Sequence, residues 1–333
     1  MFKIKLIKND GSKQYDITPI VSSFKWDSKL SLASSINFNV IKGDVKYIPK
    51  NPVELGDLIL IYKDNTEVTR GIVVNEKRDE GSTIAYTAFD YAWYLGKSKS
   101  VYQFNGITAI KAITKILNDF GMPIGSIIEM GTIISAVYVQ KTPAEIIQDI
   151  IRQYERQTGV KVYLESRKGK LHIEKMKNAL LIGSFKLSDN VAASNVLDNP
   201  LGVERTLSIE EMRNRVKIIL TESDSYETIA LEQDTAMVSK YGLLEETFKI
   251  DVADAAKARQ VAKILIKRLS KVHETNKITL MGDSAFKAGR LFDVVETVTG
   301  MNVRFMITQC EHQVSSGGMH VMDLVLTLEE DVA

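Results

Sequence analysis

Cysteine is nearly absent from this sequence: Cys310 is the only one among 333 residues. A single thiol closes no internal disulfide, completes no cysteine-rich zinc site and forms no CxxC redox pair. It follows the apolar run Phe305, Met306, Ile307, where a thiol is expected to pack as a small hydrophobe. Net charge is nearly absent as well. The 43 Lys and Arg oppose 42 Asp and Glu, a formal charge of +1. The cationic surplus with which a dedicated nucleic-acid binder neutralises phosphates is therefore missing. No stretch approaches the roughly 20 apolar residues that span a bilayer. The N-terminus, Met1-Phe2-Lys3-Ile4-Lys5-Leu6, alternates in character and lacks the apolar block of a signal peptide. Synthesis in the cytoplasm is expected.

Several catalytic signatures are missing too. Gly96-Lys97-Ser98 supplies the end of a phosphate-binding loop, but Tyr91 stands where the first glycine must wrap the phosphates. No Gly-x-Gly-x-x-Gly and no Gly-x-Ser-x-Gly elbow occurs. The four histidines are His172, His273, His312 and His320, and no His-Glu-x-x-His pair puts two on one helix face. His312 and His320 flank Gly317-Gly318 with Glu311 adjacent. Opposed across a hairpin they make a two-His, one-carboxylate metal site conceivable; ordinary strand positions are the simpler account. Glu210-Glu211 and Glu245-Glu246 are chain neighbours, so within a regular element they do not share a face. Surface solvation explains them better than a glycosidase acid–base pair. No catalytic, cofactor-binding or metal-ligating residue is assigned, and no cofactor is implied.

What is present is an ordinary soluble composition, 44% apolar and 26% charged. The length suits about two to three domains and a sizeable core. The first hundred residues read as strands. Phe2, Ile4 and Leu6 alternate with lysines, as do Ile36, Phe38 and Val40 with polar residues and Ile84, Tyr86 and Ala88 further on. Leu58 to Tyr62 is more continuous, and turns are expected at Asn9-Asp10-Gly11, Lys63-Asp64-Asn65 and Asp79-Glu80-Gly81. Such spacing predicts an antiparallel barrel or sandwich.

The period then changes to that of a helix. Ile107, Ile110, Ile113, Leu117 and Phe120 form one face, with Asn105 as expected cap and Gly121 at the end. A second helix opens on the capping box Thr142-Pro143-Ala144-Glu145, buries Ile146, Ile147, Ile150, Ile151 and Tyr154, and ends before Gly159. Val160–Leu164 and Lys170–Ile173 form a hairpin on Arg167-Lys168-Gly169. Residues 178–212, with Asn199-Pro200, read as a connection with short strands. Strands resume at Arg215–Thr221 and Glu227–Leu231. A long helix is predicted from Val252 to about Lys271, capped by Asp251, with Val261, Ile264, Leu265, Leu269 and Val272 as its stripe. The last strands are Lys277–Met281, Leu291–Val298, Val303–Thr308 and Val321–Leu328.

An internal echo joins the two ends. Gly56-Asp57-Leu58-Ile59-Leu60-Ile61 leads into two further strands, to Val74 and through Tyr86. Gly289-Arg290-Leu291-Phe292-Asp293-Val294 leads into two more, past turns at Thr299-Gly300 and Gly317-Gly318. Duplication of a β unit around a helical insert is expected. Charge is zoned: Arg152–Lys177 and Asp254–Lys277 are basic, Glu222–Glu246 acidic. Solvated faces are the usual account, and subunit complementarity is the sharper one. Tyr91, Trp93, Tyr94 and Tyr102 cluster at the join of β region and insert, where a core or inter-domain seam is expected.

These stretches together resemble the hub proteins of contractile phage tails and phage-tail-like bacteriocins, the late control D-like group. Phe24-Lys25-Trp26-Asp27 with Ile36-Asn37-Phe38 is similar to its opening strands. Ala88-Phe89-Asp90-Tyr91-Ala92-Trp93-Tyr94-Leu95 resembles the segment closing its first barrel. Phe104-Asn105-Gly106-Ile107-Thr108-Ala109 with Asp119-Phe120-Gly121-Met122, then Lys141-Thr142, Thr158-Gly159 and Gly169-Lys170-Leu171, resemble its insert. Gly282-Asp283, Gly289, Ile307, His312 and Met322-Asp323-Leu324-Val325-Leu326 resemble its last barrel. The resemblance spans nearly the whole chain, and order and spacing carry it.

It implies an α+β, mainly β chain: two similar antiparallel β-barrel domains flanking a small α/β insert, with one long helix before the last barrel strands. The implied domains are 1–100, a first barrel tube domain; 101–180, the insert; and 181–333, connecting strands, helix and second barrel. It further implies a homotrimer whose six barrels ring the tail axis with quasi-six-fold symmetry, joining the tail tube protein to the central spike protein. Other baseplate and tape-measure components would be neighbours. Assembly in the bacterial cytoplasm and residence in the baseplate of a virion or bacteriocin-like particle follow, with no enzyme activity and no specific nucleic acid. A cell-wall polymer hydrolase of a phage tail and a carbohydrate-binding β protein are the alternatives.

Overall fold

The computed structural model describes residues 1–30, 33–43, 49–176, 181, 184–185, 194–195, 200–222, 225–250, 256, 258–296 and 301–328. The chain forms two compact units, one of Met1–Val203 with Lys277–Ala333, the other of Glu204–Asn276. The architecture is mainly β with a minority of helix.

In the first unit the chain opens with β1 (Phe2–Ile7), β2 (Gln14–Asp16), β3 (Val21–Lys29), β4 (Ser35–Ile41), β5 (Leu58–Lys63), β6 (Thr66–Arg78) and β7 (Thr83–Phe89). Alternation does what it predicts. Ile4 and Leu6 of β1, Ile36, Phe38 and Val40 of β4, and Ile84, Tyr86 and Ala88 of β7 all lie in one buried cluster. The larger aliphatic and phenyl side chains among them each contribute about 1.5–3 kcal/mol by leaving water. The tight hairpin between β5 and β6 puts Asp64 and Asn65 at φ 48° and 64°, the pair of positive angles that matches strand twist.

A short helix α1 (Ala92–Lys97) leads into the insert: β8 (Ser100–Thr108), α2 (Ala109–Asp119), β9 (Ile124–Ile127), β10 (Ile133–Lys141), α3 (Pro143–Thr158), β11 (Val162–Arg167) and β12 (Lys170–Lys175). The helix predicted to be capped by Asn105 begins later. Asn105 and Ile107 belong to β8, which pairs with β10, and Thr108 precedes the first turn. Cross-strand pairing outweighed the helical spacing there, because the 3.6-residue pattern does not mark where it starts. Gly121 does end this helix at φ 60°. α3 matches its sequence signals closely. The Thr142 side chain accepts from the Glu145 amide, the Glu145 carboxylate accepts from the Thr142 amide, and Gly159 closes the helix at φ 72°. Both helices bury their apolar stripes in one core with Leu171 and Ile173.

After the short strands β13 (Ser184–Phe185) and β14 (Ser194–Asn195) comes β15 (Gly202–Ser208). The second unit then holds β16 (Arg215–Glu222), β17 (Ser225–Gln233), α4 (Thr235–Tyr241), β18 (Glu245–Ile250) and α5 (Ala258–Leu269). Its sheet runs β17-β16-β18, with β16 and β18 parallel. The small helix α4 was not anticipated; the Asp234 side chain accepts from the Met237 amide to cap it. In α5 the buried residues are Ala258 and Ala262, packed on Val216 and Ile218. Ile264, placed in the stripe by the sequence pattern, is 57% exposed. Asp251 and the predicted start of this helix lie outside the described residues.

The chain ends with β19 (His273–Met281), β20 (Leu291–Glu296), β21 (Met301–Val314) and β22 (His320–Leu328). In the sheet, strands follow the order β19-β22-β21-β3-β4-β7-β6-β5-β1-β2, with β15 beside β19 and β20 beside β21. Among the described residues this sheet is open and closes into no barrel. The expected closed barrels are therefore not what the strand pairing shows.

The internal echo is visible in the bonding. Neighbours β3-β4-β7-β6-β5 recur as β15-β19-β22-β21-β20. Gly56, at φ 90°, donates to the Val73 carbonyl, and the Val73 amide donates to Asp57. Gly289, at φ 80°, donates to the Ile307 carbonyl, and the Ile307 amide donates to Arg290. Positive φ at both entry points needs glycine. One residue on, β6 bulges between Val73 and Asn75, and β21 bulges between Ile307 and Gln309. The Thr299-Gly300 turn of the second copy lies outside the described residues.

The capping box yields a direct measure of one local signal. Thr142→Ala should lower stability by about 1 kcal/mol, read as a lower midpoint with unchanged slope in urea unfolding.

Candidate functional site

The first unit is knit together at the join of β3 to β21. The two strands pair antiparallel from Phe24 with Val314 to Lys29 with Gln309. This register puts Trp26 beside His312, their rings stacked 4.6 Å apart at 11°. His320, opposite Val314 and so diagonal to His312 across the hairpin, lies 5.2 Å from the Phe2 ring of β1, edge to face.

The hydrogen bonds fix the tautomers. A carbonyl only accepts, so His312 Nε2–H donates to the Phe286 carbonyl at 2.9 Å. His312 Nδ1 is then the acceptor, and His320 Nε2–H donates to it at 3.1 Å. The Cys310 sulfur stands 3.1 Å from His312 Nε2. Burial depresses both imidazoles, His312 to about 4 and His320 to about 3, with His312 adding to the effect on His320. Burial likewise pushes the Cys310 thiol up, so it behaves as the packed hydrophobe expected of it. Gly282 is required behind His320: a Cβ there would stand 2.1 Å from the ring.

The expected pairing of the two histidines is thus met, but as a neutral hydrogen-bonded stack. Glu311 does not join them. It points to the other face and pairs with Lys25 at 3.2 Å, as strand alternation requires. Among the described residues no group of three or more His, Cys, Asp or Glu is placed to hold a metal ion.

Beside the join lies a polar junction of three parts of the chain. Asp27 of β3 accepts from the Ser35 amide at 2.6 Å and pairs with Lys29. Asp90 accepts from the amides of Ala92 and Ser34; burial raises its carboxyl to about 7. Glu165 of the insert pairs with Lys287 at 3.0 Å and Arg290 at 2.9 Å. Burial pushes Glu165 up, but the two cations outweigh it and hold it below the usual range. Arg290 also stacks 4.8 Å over the Tyr163 ring, and Tyr91 packs on Gly169 of the insert hairpin. A cavity of about 40 Å³ between Asp27, Asp90, Arg70, Glu165 and Lys287 has room for about one water. The motif residues Trp26, Asp27 and Asp90 therefore tie strands and the start of α1 together, while Glu165, Lys287 and Arg290 tie in the insert.

One constellation was missed in the sequence. Ser126, His172 and Glu174 meet in the insert, with Ser126 Oγ 2.9 Å from His172 Nδ1. The Ser126 hydroxyl donates to Glu174 at 2.5 Å, and the Ser126 amide donates to His172 Nδ1 at 3.0 Å. In a nucleophilic triad the histidine takes the serine proton and the carboxylate holds the opposite nitrogen. Here carboxylate and imidazole nitrogen are both spent on Ser126. That same bond, first among several, holds Glu174 at about 2. The spacing of 46 residues between Ser126 and His172 left no local signal to read.

The remaining candidates fall apart or fall into structure. Gly96 lies within α1. Glu245 pairs with Lys217 and Arg215, whereas Glu246 turns to Arg213. Of the aromatics, Tyr102 is buried on Phe104, Trp93 stacks on Phe89, and Tyr94 is 45% exposed. No helix of the described residues is long and apolar enough to cross a membrane.

A family model described as YQBQ-like matches residues 24–327. The phage-like element PBSX protein XkdQ of Bacillus subtilis is 25% identical over 287 residues, 85% of this chain and 84% of that protein. The crystal structure of the prophage MuSo2 43 kDa tail protein from Shewanella oneidensis is similar with a TM-score of 0.71 at 16% identity, covering 99% of this chain and all of that one. The tail protein from Neisseria meningitidis MC58 follows with a TM-score of 0.64 at 14% identity, covering 98% and 96%. The chain shares the fold of these tail proteins.

The histidine stack makes stability depend on pH. The unfolded chain, with imidazoles near 6.5, binds more protons than the folded one between about pH 4 and 6.5. Its contribution is full above pH 6.5 and lost as pH falls towards 4. Asp90 runs the other way: its contribution is full below about 3.8 and lost as pH rises through 7. The histidine part is therefore read by difference. Parent stability minus that of the double variant His312→Asn, His320→Asn should shrink by about 6 kcal/mol between pH 7 and pH 4, about half of it from each imidazole. Urea unfolding at several pH values measures it, and parallel pH curves would refute the neutral stack.

Proposed function

The chain belongs to the YQBQ-like family, and from that premise we propose that it is the structural hub of a contractile-tail baseplate. Residues 1–100 and 181–333 serve as two similar β-rich tube domains, and residues 101–180 as the insert between them. Three chains form a ring that is three-fold by subunit and nearly six-fold by domain. Such a ring carries the tail tube protein on one side and the central spike protein on the other, with baseplate and tape-measure components around it. It assembles in the bacterial cytoplasm and ends in the baseplate of a virion or bacteriocin-like particle.

The observation that carries this reading is the repeated unit: the same strand order, the same glycine entry and the same bulge, twice in one chain. Duplication converts three-fold into quasi-six-fold symmetry, because each chain then supplies two equivalent contacts per ring. Fold likeness to tail proteins supports it. The role is binding without catalysis. The best-placed serine and histidine support that view, since the Ser126 hydroxyl donates its hydrogen bond to Glu174 rather than to the imidazole.

Native mass measurement should give three times the 37.3 kDa of one chain, and electron microscopy should show rings with three- or six-fold views. A stable monomer at high concentration overturns the hub. A peptidoglycan zymogram band abolished by a single carboxylate substitution would establish the hydrolase instead.

A further inference from the structure

Among the described residues the two repeats are paired strand to strand at one place, β3 of the first against β21 of the second. β21 is a strand in two parts. Met301–Met306 pairs with β20, and beyond the bulge Gln309–Val314 pairs with β3. Its counterpart β6 has the same two parts. Thr66–Ile72 pairs with β5, and beyond the bulge Asn75–Arg78 pairs with β7. Among the described residues no strand lies on the other edge of Asn75–Arg78. The counterpart of β3 is β15, which stands at the end of the strand order with β19 as its single strand neighbour among the described residues. Leu201, Gly202 and Glu204, at its start, are exposed, Leu201 by 53%.

One joint is therefore used inside the chain, and its two halves are left over: a receiving edge on β6 and a donating edge on β15. An uncovered strand edge is a template for pairing. Strand-to-strand bonding is carried by the backbone, so equivalent backbones suit equivalent joints even where side chains differ. The proper occupant is the segment whose place in its own repeat equals that of β3. We propose that the β6 edge Asn75–Arg78 receives the outer edge of β15 from a second copy of this chain, repeating between copies the joint that β3 and β21 make within one. The contact is head-to-tail, and such contacts close into a ring when the rotation allows. This inference rests on the ring proposed above and names the surface that closes it. Glu76, Lys77 and Arg78 line the receiving edge; alternating charge there disfavours flat apolar strands.

Cysteine pairs test it, because the native Cys310 is buried and silent. Lys77→Cys is combined in turn with Gly202→Cys and Glu204→Cys, which face the same way along β15. All three positions are exposed, so the parent's unfolding midpoint should be kept. Mild oxidation of the full-length protein should give covalent dimers and trimers with a double variant and none with any single variant. Trimers of unchanged native mass that cross-link through neither pair overturn the pairing and leave the ring standing. A chain that is monomeric by native mass yet cross-links when concentrated keeps the pairing and overturns the trimer. A ladder running past three copies keeps the pairing and overturns closure. Cross-linking of the Lys77→Cys edge to a tail tube protein, and never to a second copy, refutes the proposal.

Discussion

The first unit depends on the antiparallel join of β3 to β21. These strands are about 285 residues apart in sequence, and their pairing is what makes two β repeats one sheet. Backbone bonds alone would leave register free to slip, and a one-residue slip turns every side chain to the other face. Trp26 stacked on His312 prevents that, with His320 and Phe2 behind. His320 Nε2–H, His312 and the Phe286 carbonyl form one run of buried hydrogen bonds, while His320 Nδ1 is buried without a partner. Moving either ring breaks a bond of this run, which favours one arrangement.

The insert is attached by charge as well as by apolar packing, which takes Ala92 and Leu95 of α1 into its core. Glu165 meets two cations, and Arg290 meets both Glu165 and the Tyr163 ring. Removing one partner of so buried a group leaves an uncompensated charge, so the geometry is specific even where its net stabilisation is small. For a protein whose proposed task is to hold neighbours in fixed positions, rigidity at this junction matters more than chemistry within it. Asp27 and Asp90, which look like available acids, are consumed by backbone amides.

Local signals were legible where one residue decides one feature. Thr142 with Glu145, Gly159, Gly121 and Asp64-Asn65 read correctly, since caps and turns are settled within a few residues. Alternation found the strands and their buried faces. The errors share a cause. Asn105 looked like a cap, and Ile264 looked like core, because periodicity marks a face without saying what covers it. The pairing of β8 with β10 and the small alanines of α5 decided those two positions.

The sequence by itself determined the order of elements, the duplicated unit and the helical insert, because period, glycine position and turn chemistry are local properties of the chain. Tertiary structure alone decided the rest. It set which strand lies beside which, that the sheet runs open through both repeats, and that His312 and His320 form a neutral stack with Glu311 turned away. It also brought Ser126 to His172 and Glu174. These are relations between residues tens to hundreds of positions apart. The free energy that fixes them comes from burial and pairing in three dimensions, of which the linear pattern carries no record.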